Sequence, residues 1–246
     1  MRRVVPGSQA EQVGRLFLAA VLVVFAPHLP FGNFLIYPFL ILGTWFHEMG
    51  HGLTALALGQ EFDRLLIFAD GSGMAESRIA SDASPLVRAA IAAGGPVGPS
   101  LAGALLILAS GRRRWWRGAL LALAATIALS TLIWVRSLTG WIVLPLIAAG
   151  LAWLAWQAQG GLARFALQFL GMLAGLSMFL SWDYLFMESA VVGGQLILSD
   201  TGAIAASLLL PHWLWALLLT GFAALTIGGS LKLALARSDD ERHRLS

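Results

Sequence analysis

The chain has 246 residues, of which 58% are hydrophobic and only 12% are charged, and its formal net charge is +3. A typical soluble domain has about 25% charged residues, so this composition excludes an ordinary water-soluble domain and predicts a protein embedded in lipid. The basic residues lie between hydrophobic runs, as lipid-headgroup anchors do, and not among aromatics on a soluble face, so we expect no nucleic-acid binding.

Hydrophobic runs long enough to approach the thickness of a bilayer recur along the whole chain. A membrane helix needs about 20 mainly apolar residues. After a polar N-terminus, residues 1–15, the runs cover about 16–31, 35–58, 86–108, 119–135, 141–156, 165–185 and 213–235, and a charged tail follows at 237–246. The sequence therefore predicts an all-α polytopic membrane protein with about six to seven transmembrane helices. We expect residues 1–246 to form one membrane-embedded domain.

Two of the segments between these runs are not simple loops. Residues 60–84 are the most polar internal segment, and the Asp-Gly-Ser-Gly sequence at 70–73 is a strong turn signal between short apolar stretches. A short polar hairpin is therefore predicted after the second span. Residues 186–212 are moderately apolar but contain Glu188, Gln195 and Asp200, so they do not read as a further span.

The second span carries a pattern typical of metal-dependent hydrolases. His47, Glu48 and His51 form the sequence HExxH, and on a helix the two histidines lie on one face, where both can reach one cation. Zinc binds neutral histidine nitrogen and keeps a coordination position open in catalytic sites. Glu48 is turned aside from the histidines, so it is predicted to be the general base and not a ligand.

The membrane setting strengthens the prediction of a metal site. A charged group near the middle of a span costs about 2.5–3.5 kcal/mol on insertion scales. Three ionisable groups within five residues of a hydrophobic helix therefore need a compensating interaction, which a bound zinc ion supplies. The alternative is that these side chains only contribute to helix packing. We favour the zinc site because of this energetic penalty.

The HEMGH sequence at 47–51, inside a membrane span, resembles the site-two protease family of intramembrane zinc metalloproteases. The Gly-Gly-Pro-Val-Gly-Pro sequence at 94–99 looks like the glycine- and proline-rich motif of that family's following span. No insertion the size of a PDZ domain is present, as in the compact branch of the family. The resemblance implies cleavage of transmembrane or membrane-proximal segments from the cytosolic side. We expect Gly94, Gly95 and Pro96 to line the substrate cavity.

The resemblance also implies an aspartate as the third zinc ligand, supplied by a later span. Its usual Leu-Asp-Gly or Asn-Pro-Asp-Gly context does not occur in this chain. Asp200 follows Ser199, like the Ser-Asp pair of the compact branch, and is the preferred candidate; its alternative role is to cap a helix starting near Thr201. Asp183 is the second candidate, and its alternative role is that of an interfacial residue beside the aromatic anchor Trp182.

Together these features predict a zinc endopeptidase that cleaves a membrane protein or peptide substrate within the lipid bilayer. A metal transporter or sensor would need ionisable ligands at several depths, and only one span has them. A non-catalytic membrane scaffold would have no need for Glu48. We expect a multi-pass protein of the cell membrane. The sequence indicates neither the natural substrate nor an oligomeric state, and the basic residues on the two sides do not decide its orientation.

Overall fold

The computed structural model describes residues 32–157, 161–180 and 182–243, together with positions 13–15, 17, 18, 21 and 25. Most of the first predicted span, 16–31, lies outside the described residues. The helices are α1 (Gly32–Ala57), α2 (Pro85–Ser110), α3 (Arg113–Ile133), α4 (Leu138–Gln157), α5 (Gly161–Leu180), α6 (Trp182–Phe186), α7 (Asp200–Ser207) and α8 (His212–His243). The strands are β1 (Glu61–Ile67), β2 (Gly73–Arg78), β3 (Ser189–Val192) and β4 (Gln195–Leu198).

Five helical segments of the described chain are long and apolar enough to cross a membrane. They are Pro85–Ser110, Arg113–Ile133, Leu138–Gln157, Gly161–Phe186 and His212–Ala234. The 26-residue α1 is not among the five, because the polar side chains of its motif lower its mean hydropathy. The chain is mostly helical, and its five candidate spans support the prediction of a multi-pass membrane protein. The predicted count was six to seven spans, and the described residues supply five candidates.

The hairpin predicted after the second span is confirmed. Strands β1 and β2 pair antiparallel, from Glu61 opposite Arg78 to Ile67 opposite Gly73. The turn lies against α1, since Thr44 Oγ1 donates a 2.5 Å hydrogen bond to the Gly71 carbonyl oxygen. The hairpin therefore runs back alongside α1 and brings the start of β2 to the middle of that helix.

The outer side of this hairpin is fixed by the connection between α3 and α4. The Leu65 amide donates to the Trp134 carbonyl oxygen, and the Arg136 amide donates to the Leu65 carbonyl oxygen, both at 2.9 Å. The hairpin's charges neutralise one another at its exposed surface, where Arg78 hydrogen-bonds to Asp63. This hydrogen bond holds the pKa of Asp63 below its ordinary value.

Helices α1 and α2 approach each other backbone to backbone. A Cβ atom added to Gly98 would lie 2.8 Å from the Gly50 Cα, and one added to Gly50 would collide with the Gly94 carbonyl. Small residues at such a crossing allow the close approach that a membrane interior favours. Helices α5, α7 and α8 also pack on α2. Helix α2 therefore determines how the motif helix lies relative to the C-terminal elements.

The largest hydrophobic core lies between α1, α3, α4 and α5. Its fully buried side chains include Ile41, Leu42, Ile127, Leu144 and Leu167. Buried Trp45 of α1 also donates from Nε1 to the Ser130 hydroxyl of α3 at 3.0 Å. This core fixes the rotation of α1 about its axis, so that its opposite face, which carries the histidines, points toward α2 and α7.

A second hairpin, β3–β4, was not predicted, so the expectation of an all-α fold with one hairpin is incomplete. Its turn residues Gly193 and Gly194 have positive φ angles of 56° and 80°. Two consecutive residues of this kind form the two-residue turn that joins antiparallel strands. The tip reaches the first hairpin, since a Cβ atom on Gly193 would lie 2.5 Å from the Phe68 ring. The two hairpins therefore meet beside α1.

Candidate metal centre

Three potential ligands from two distant parts of the chain converge beside α2. The Nε2 atoms of His47 and His51 lie 3.3 Å apart. The Asp200 Oδ2 atom lies 3.0 Å from His47 Nε2, and Oδ1 lies 3.1 Å from His51 Nε2. His47 and His51 are one helical turn apart on α1, as the sequence predicts, and Asp200 is the first residue of α7. The arrangement forms a compact two-nitrogen, one-carboxylate cluster.

The local structure around Asp200 explains why its carboxylate points at the histidines. Ser199 is the N-cap of α7, because its hydroxyl accepts a 3.0 Å hydrogen bond from the Gly202 amide. The same hydroxyl donates to the Met187 carbonyl oxygen, and the Thr201 hydroxyl donates to the Leu185 carbonyl oxygen. The capping role considered for Asp200 therefore belongs to Ser199. Asp200 is left in the first helical turn, where the helix dipole favours a negative charge.

Asp183, the second candidate for the third ligand, lies elsewhere. It is exposed in the first turn of α6 and does not belong to the cluster. Its neighbour Tyr184 points toward the site instead, with its ring 6.5 Å from that of His47. Adjacent residues on a helix differ by about 100° in direction, so one faces solvent while the other faces the site.

Gly95 of α2 leaves the space that the two imidazole rings occupy. A Cβ atom at this position would collide with Nε2 of His51 and lie 2.7 Å from Nε2 of His47. Gly94 packs against Gly50 and Thr54, while Pro96 lines a cavity next to the site. Of the three residues expected to line the substrate cavity, Pro96 lines this cavity and the two glycines allow close approach of α1, while substrate binding there stays a prediction.

The hydrogen bonding of His51 prepares its inner nitrogen for a metal. Its Nδ1 donates to the Ile91 carbonyl oxygen at 2.8 Å. A carbonyl oxygen can only accept, so the proton of the neutral ring is on Nδ1 and the Nε2 lone pair faces the cluster. Asp200 Oδ2 is buried and accepts no hydrogen bond from the described residues. Lone pairs and a carboxylate that converge in this way repel one another unless a cation lies between them.

The cluster fits zinc in its size and its donor atoms. Ligands that share one tetrahedral zinc ion at about 2.0–2.1 Å are separated from one another by about 3.3–3.4 Å, close to the separations of 3.0–3.3 Å in this cluster. Two histidines and one carboxylate are a ligand set of catalytic zinc sites, which keep a fourth position open. The residues present therefore fit the metal that the HExxH pattern predicts.

Glu48 lies beside this cluster without belonging to it. It is 7% exposed, and its side chain packs against the start of β2, where a Cβ atom added to Gly73 would lie 2.8 Å from Glu48 Cγ. The hairpin thus excludes bulk water from one side of Glu48. Because the three candidate ligand atoms belong to other residues, the cluster does not include the Glu48 carboxylate.

Two cavities meet at the cluster. The first, of about 330 Å³, is lined mainly by apolar side chains of α1, α2 and α5, including Phe39, Leu40 and Leu173, and it reaches His47. The second, of about 420 Å³, lies between β2, α2, β4 and α7 and reaches His51 and Asp200. The residues that line both cavities are Glu48, Gly73, Tyr184 and Val192. The candidate metal centre therefore lies at the junction of two adjoining chambers.

Tyr184 and Val192 are site residues that the sequence did not reveal. An aromatic residue near the end of a span normally indicates an interfacial anchor. Val192 belongs to the unpredicted hairpin, although the Gly-Gly sequence at 193–194 between two apolar stretches is a recognisable hairpin signal. Detecting that turn would have placed β3 and β4 directly before Asp200.

Comparison with known families supports the same chemistry. The Peptidase M50B-like family matches residues 16–230, which include α1, both hairpins, α7 and most of α8. No curated protein and no solved structure matches the chain. The family match covers most of the sequence and agrees with the resemblance to site-two proteases. On this evidence the chain belongs to the Peptidase M50B-like family.

Proposed function

We propose that this protein is an intramembrane zinc metalloendopeptidase of the cell membrane. The observation that carries the proposal is the convergence of His47, His51 and Asp200, with Glu48 beside them, at the junction of two cavities. The substrate would be a membrane protein or peptide, cleaved within or next to a transmembrane segment. Membership of a peptidase family supports the reaction class, and five candidate transmembrane helices support the membrane location.

Each polar residue of the site has a defined task in this proposal. His47, His51 and Asp200 would hold zinc, which when bound polarises the peptide carbonyl and makes water a better nucleophile. Glu48 takes a proton from the attacking water as the oxygen adds to the carbonyl carbon. Glu48 then gives this proton to the leaving amine as the C–N bond breaks. The reaction needs no other proton carrier.

The surroundings of Glu48 favour this proton transfer. The Glu48 side chain is nearly buried, packs against the start of β2 and borders both cavities, where the attacking water would lie. The two cavities share Glu48 but are otherwise lined by largely different residues, so an unwound peptide could occupy both while its scissile bond lies near the cluster. A helical substrate hides its peptide bonds, so it must become extended before cleavage.

The test is a comparison of zinc content and cleavage in two matched glutamate variants. Glu48→Gln keeps the size of the side chain but removes the base, so we expect bound zinc to remain and cleavage of a membrane substrate to fall about 10²–10⁴-fold. Glu188 is exposed and lines neither cavity, so Glu188→Gln should cleave like the wild type. The measurements are metal analysis of the purified full chain and gel-based cleavage in liposomes.

Two outcomes of this experiment would reject the proposal. Equal cleavage by Glu48→Gln and the wild type would exclude the mechanism. Zinc flux across sealed vesicles without cleavage would favour a transporter, although the described residues contain one group of three potential metal ligands and not a series along a path.

A further inference from the structure

One positively charged side chain lines the second cavity and has no role in the proposed cleavage reaction. Arg88 of α2 is half-buried and lines this cavity. Its Nη2 atom donates to the carbonyl oxygens of Ala80 at 3.0 Å and Ser81 at 3.3 Å, which fixes the guanidinium at one edge. Within the described chain, no carboxylate lies within ion-pair distance of Arg88. The remaining guanidinium donors thus have no anionic partner among the described residues.

Helix geometry relates Arg88 to the metal centre. Arg88, Ile91 and Gly95 follow one another at spacings of three and four residues, so they lie on one face of α2. The Ile91 carbonyl accepts from His51, and Gly95 borders both histidine rings. Seven residues of helix span about 10 Å, so Arg88 lies about two turns from the cluster along the same wall.

The charges of the second cavity are separated between its two ends. Its other ionisable lining residues are His51 and Asp200, which belong to the cluster, and Glu48 and Tyr184, which lie beside it. The walls between these and Arg88 are neutral, and Arg88 is the one arginine or lysine among the residues that line this cavity. The first cavity is lined by no arginine or lysine. A peptide that occupies both cavities would therefore meet a positive charge on one side of its scissile bond and not on the other.

We propose that Arg88 forms a carboxylate-binding subsite that selects peptide substrates with an acidic side chain on the second-cavity side of the scissile bond. The guanidinium suits this ligand because it can donate two parallel hydrogen bonds to one carboxylate. An extended peptide advances about 3.3 Å per residue, so the acidic residue lies about three residues from the bond that is cleaved. This specificity rests on the proposed protease function, but the binding step can be measured without turnover.

The experiment uses the full chain carrying Glu48→Gln, loaded with zinc and reconstituted in phosphatidylcholine nanodiscs. The probes are fluorescent, C-terminally amidated peptides of alternating alanine and leucine, with a single Glu, Gln or Lys moved through every position. We expect Glu at one position to bind about tenfold more tightly than Gln at that position. Adding Arg88→Gln should abolish this preference, and adding Arg88→Glu should reverse it in favour of Lys.

Arg136 provides the matched control. Its guanidinium also donates to backbone carbonyl oxygens, those of Val135 and Ile133, but it lines neither cavity. Arg136→Gln should keep the preference for Glu, and every variant should keep its zinc. A neutral peptide with a free C-terminus distinguishes a terminal carboxylate from an acidic side chain. If that peptide alone binds tightly, the subsite binds the C-terminal carboxylate of a peptide. The inference that it selects an acidic side chain is then wrong.

The remaining outcomes separate this inference from the proposed function. If no peptide binds, or if Glu, Gln and Lys peptides bind equally, Arg88 is not a carboxylate subsite, whether or not the wild type cleaves. If phosphatidylglycerol in the nanodiscs abolishes the preference for Glu, Arg88 binds lipid phosphate and the inference fails. A preference that depends on Arg88, together with no cleavage by the wild type, supports the subsite and rejects the protease.

Discussion

Asp183 and Asp200 are both plausible ligands in the sequence, and the structure gives them different positions. Asp200 lies against the two histidines, while Asp183 is exposed on α6. We therefore expect Asp200→Asn to weaken zinc binding by at least about 100-fold, since loss of outer partners alone costs about 10–100-fold. Asp183→Asn should bind zinc like the wild type. Competition with a fluorescent zinc chelator measures both affinities. Normal zinc affinity in Asp200→Asn would remove this residue from the ligand set.

Gly95 allows a second test that changes no polar group. Its missing side chain leaves room for both imidazole rings, so the methyl group of Gly95→Ala would displace them. We expect this variant to lose zinc although all three ligands are intact. The control is Gly118→Ala in α3, where nothing lies within 4 Å of the new Cβ, and which should keep zinc and gain about 0.5–1 kcal/mol of helix stability.

Metal analysis of the purified Gly95→Ala and Gly118→Ala variants shows whether the space left by Gly95 is needed for zinc binding. If Gly95→Ala retains stoichiometric zinc, the rings can move aside, and the close approach of α2 is not needed for the site. If Gly118→Ala also loses zinc, the loss in Gly95→Ala comes from a general effect of glycine-to-alanine substitution on folding and not from displaced imidazole rings.

Residue chemistry explains which parts of the site could be foreseen. His47, Glu48 and His51 are recognisable because their spacing on one helix determines their relative positions before any tertiary contact forms. Asp200 could not be separated from Asp183 by spacing, because the answer depends on how Ser199 and Thr201 anchor the start of α7. The roles of these residues in metal binding and catalysis stay predictions until they are measured.

At the scale of elements, the sequence identified the long apolar helices and the first hairpin. The spans were readable because bilayer thickness fixes a minimum length of apolar sequence. The turn at 70–73 was readable from its glycines. The second hairpin was missed because its strands have four residues each, and their apolar character fits a helix equally well. Only the Gly193-Gly194 pair distinguishes a hairpin from a helix in this segment.

That glycine pair gives a prediction about the β3–β4 hairpin. Gly194 has a φ of 80°, and a Cβ atom added to it would meet nothing within 4 Å, so backbone strain is what limits its replacement. A β-branched residue at this φ is strongly disfavoured, whereas asparagine tolerates it. We expect Gly194→Val to loosen the hairpin and Gly194→Asn to leave it close to the wild type.

Hydrogen exchange of residues 189–198 measures this difference. Gly194→Val should exchange faster there and should weaken peptide binding, because Val192 of the hairpin lines both cavities. Equal protection in the valine and asparagine variants would mean that the positive φ at this turn does not stabilise the hairpin. Exchange in β1 serves as the internal reference, since the α3–α4 connection holds that strand.

At the scale of the whole molecule, the candidate ligand cluster joins two helices that lie far apart in the sequence. His47 and His51 belong to α1, and Asp200 belongs to α7, and both helices pack on α2. A zinc ion shared by these residues would cross-link segments that the intervening helices separate in sequence. Zinc bound only to the folded state stabilises it by RT ln(1 + [Zn]/Kd), which is about 2.7 kcal/mol at a free concentration 100 times Kd.

We therefore expect the zinc-loaded protein to unfold at a higher temperature than the chelated protein, by an amount that grows with free zinc. The chain has ten tryptophans, so intrinsic fluorescence during heating in detergent measures the transition. Glu48→Gln should keep the zinc-dependent shift, because Glu48 is outside the ligand cluster. His47→Ala should lose it. A shift that persists in His47→Ala would place the stabilising zinc elsewhere, and no shift in the wild type would mean that the cluster does not bind zinc in the folded protein.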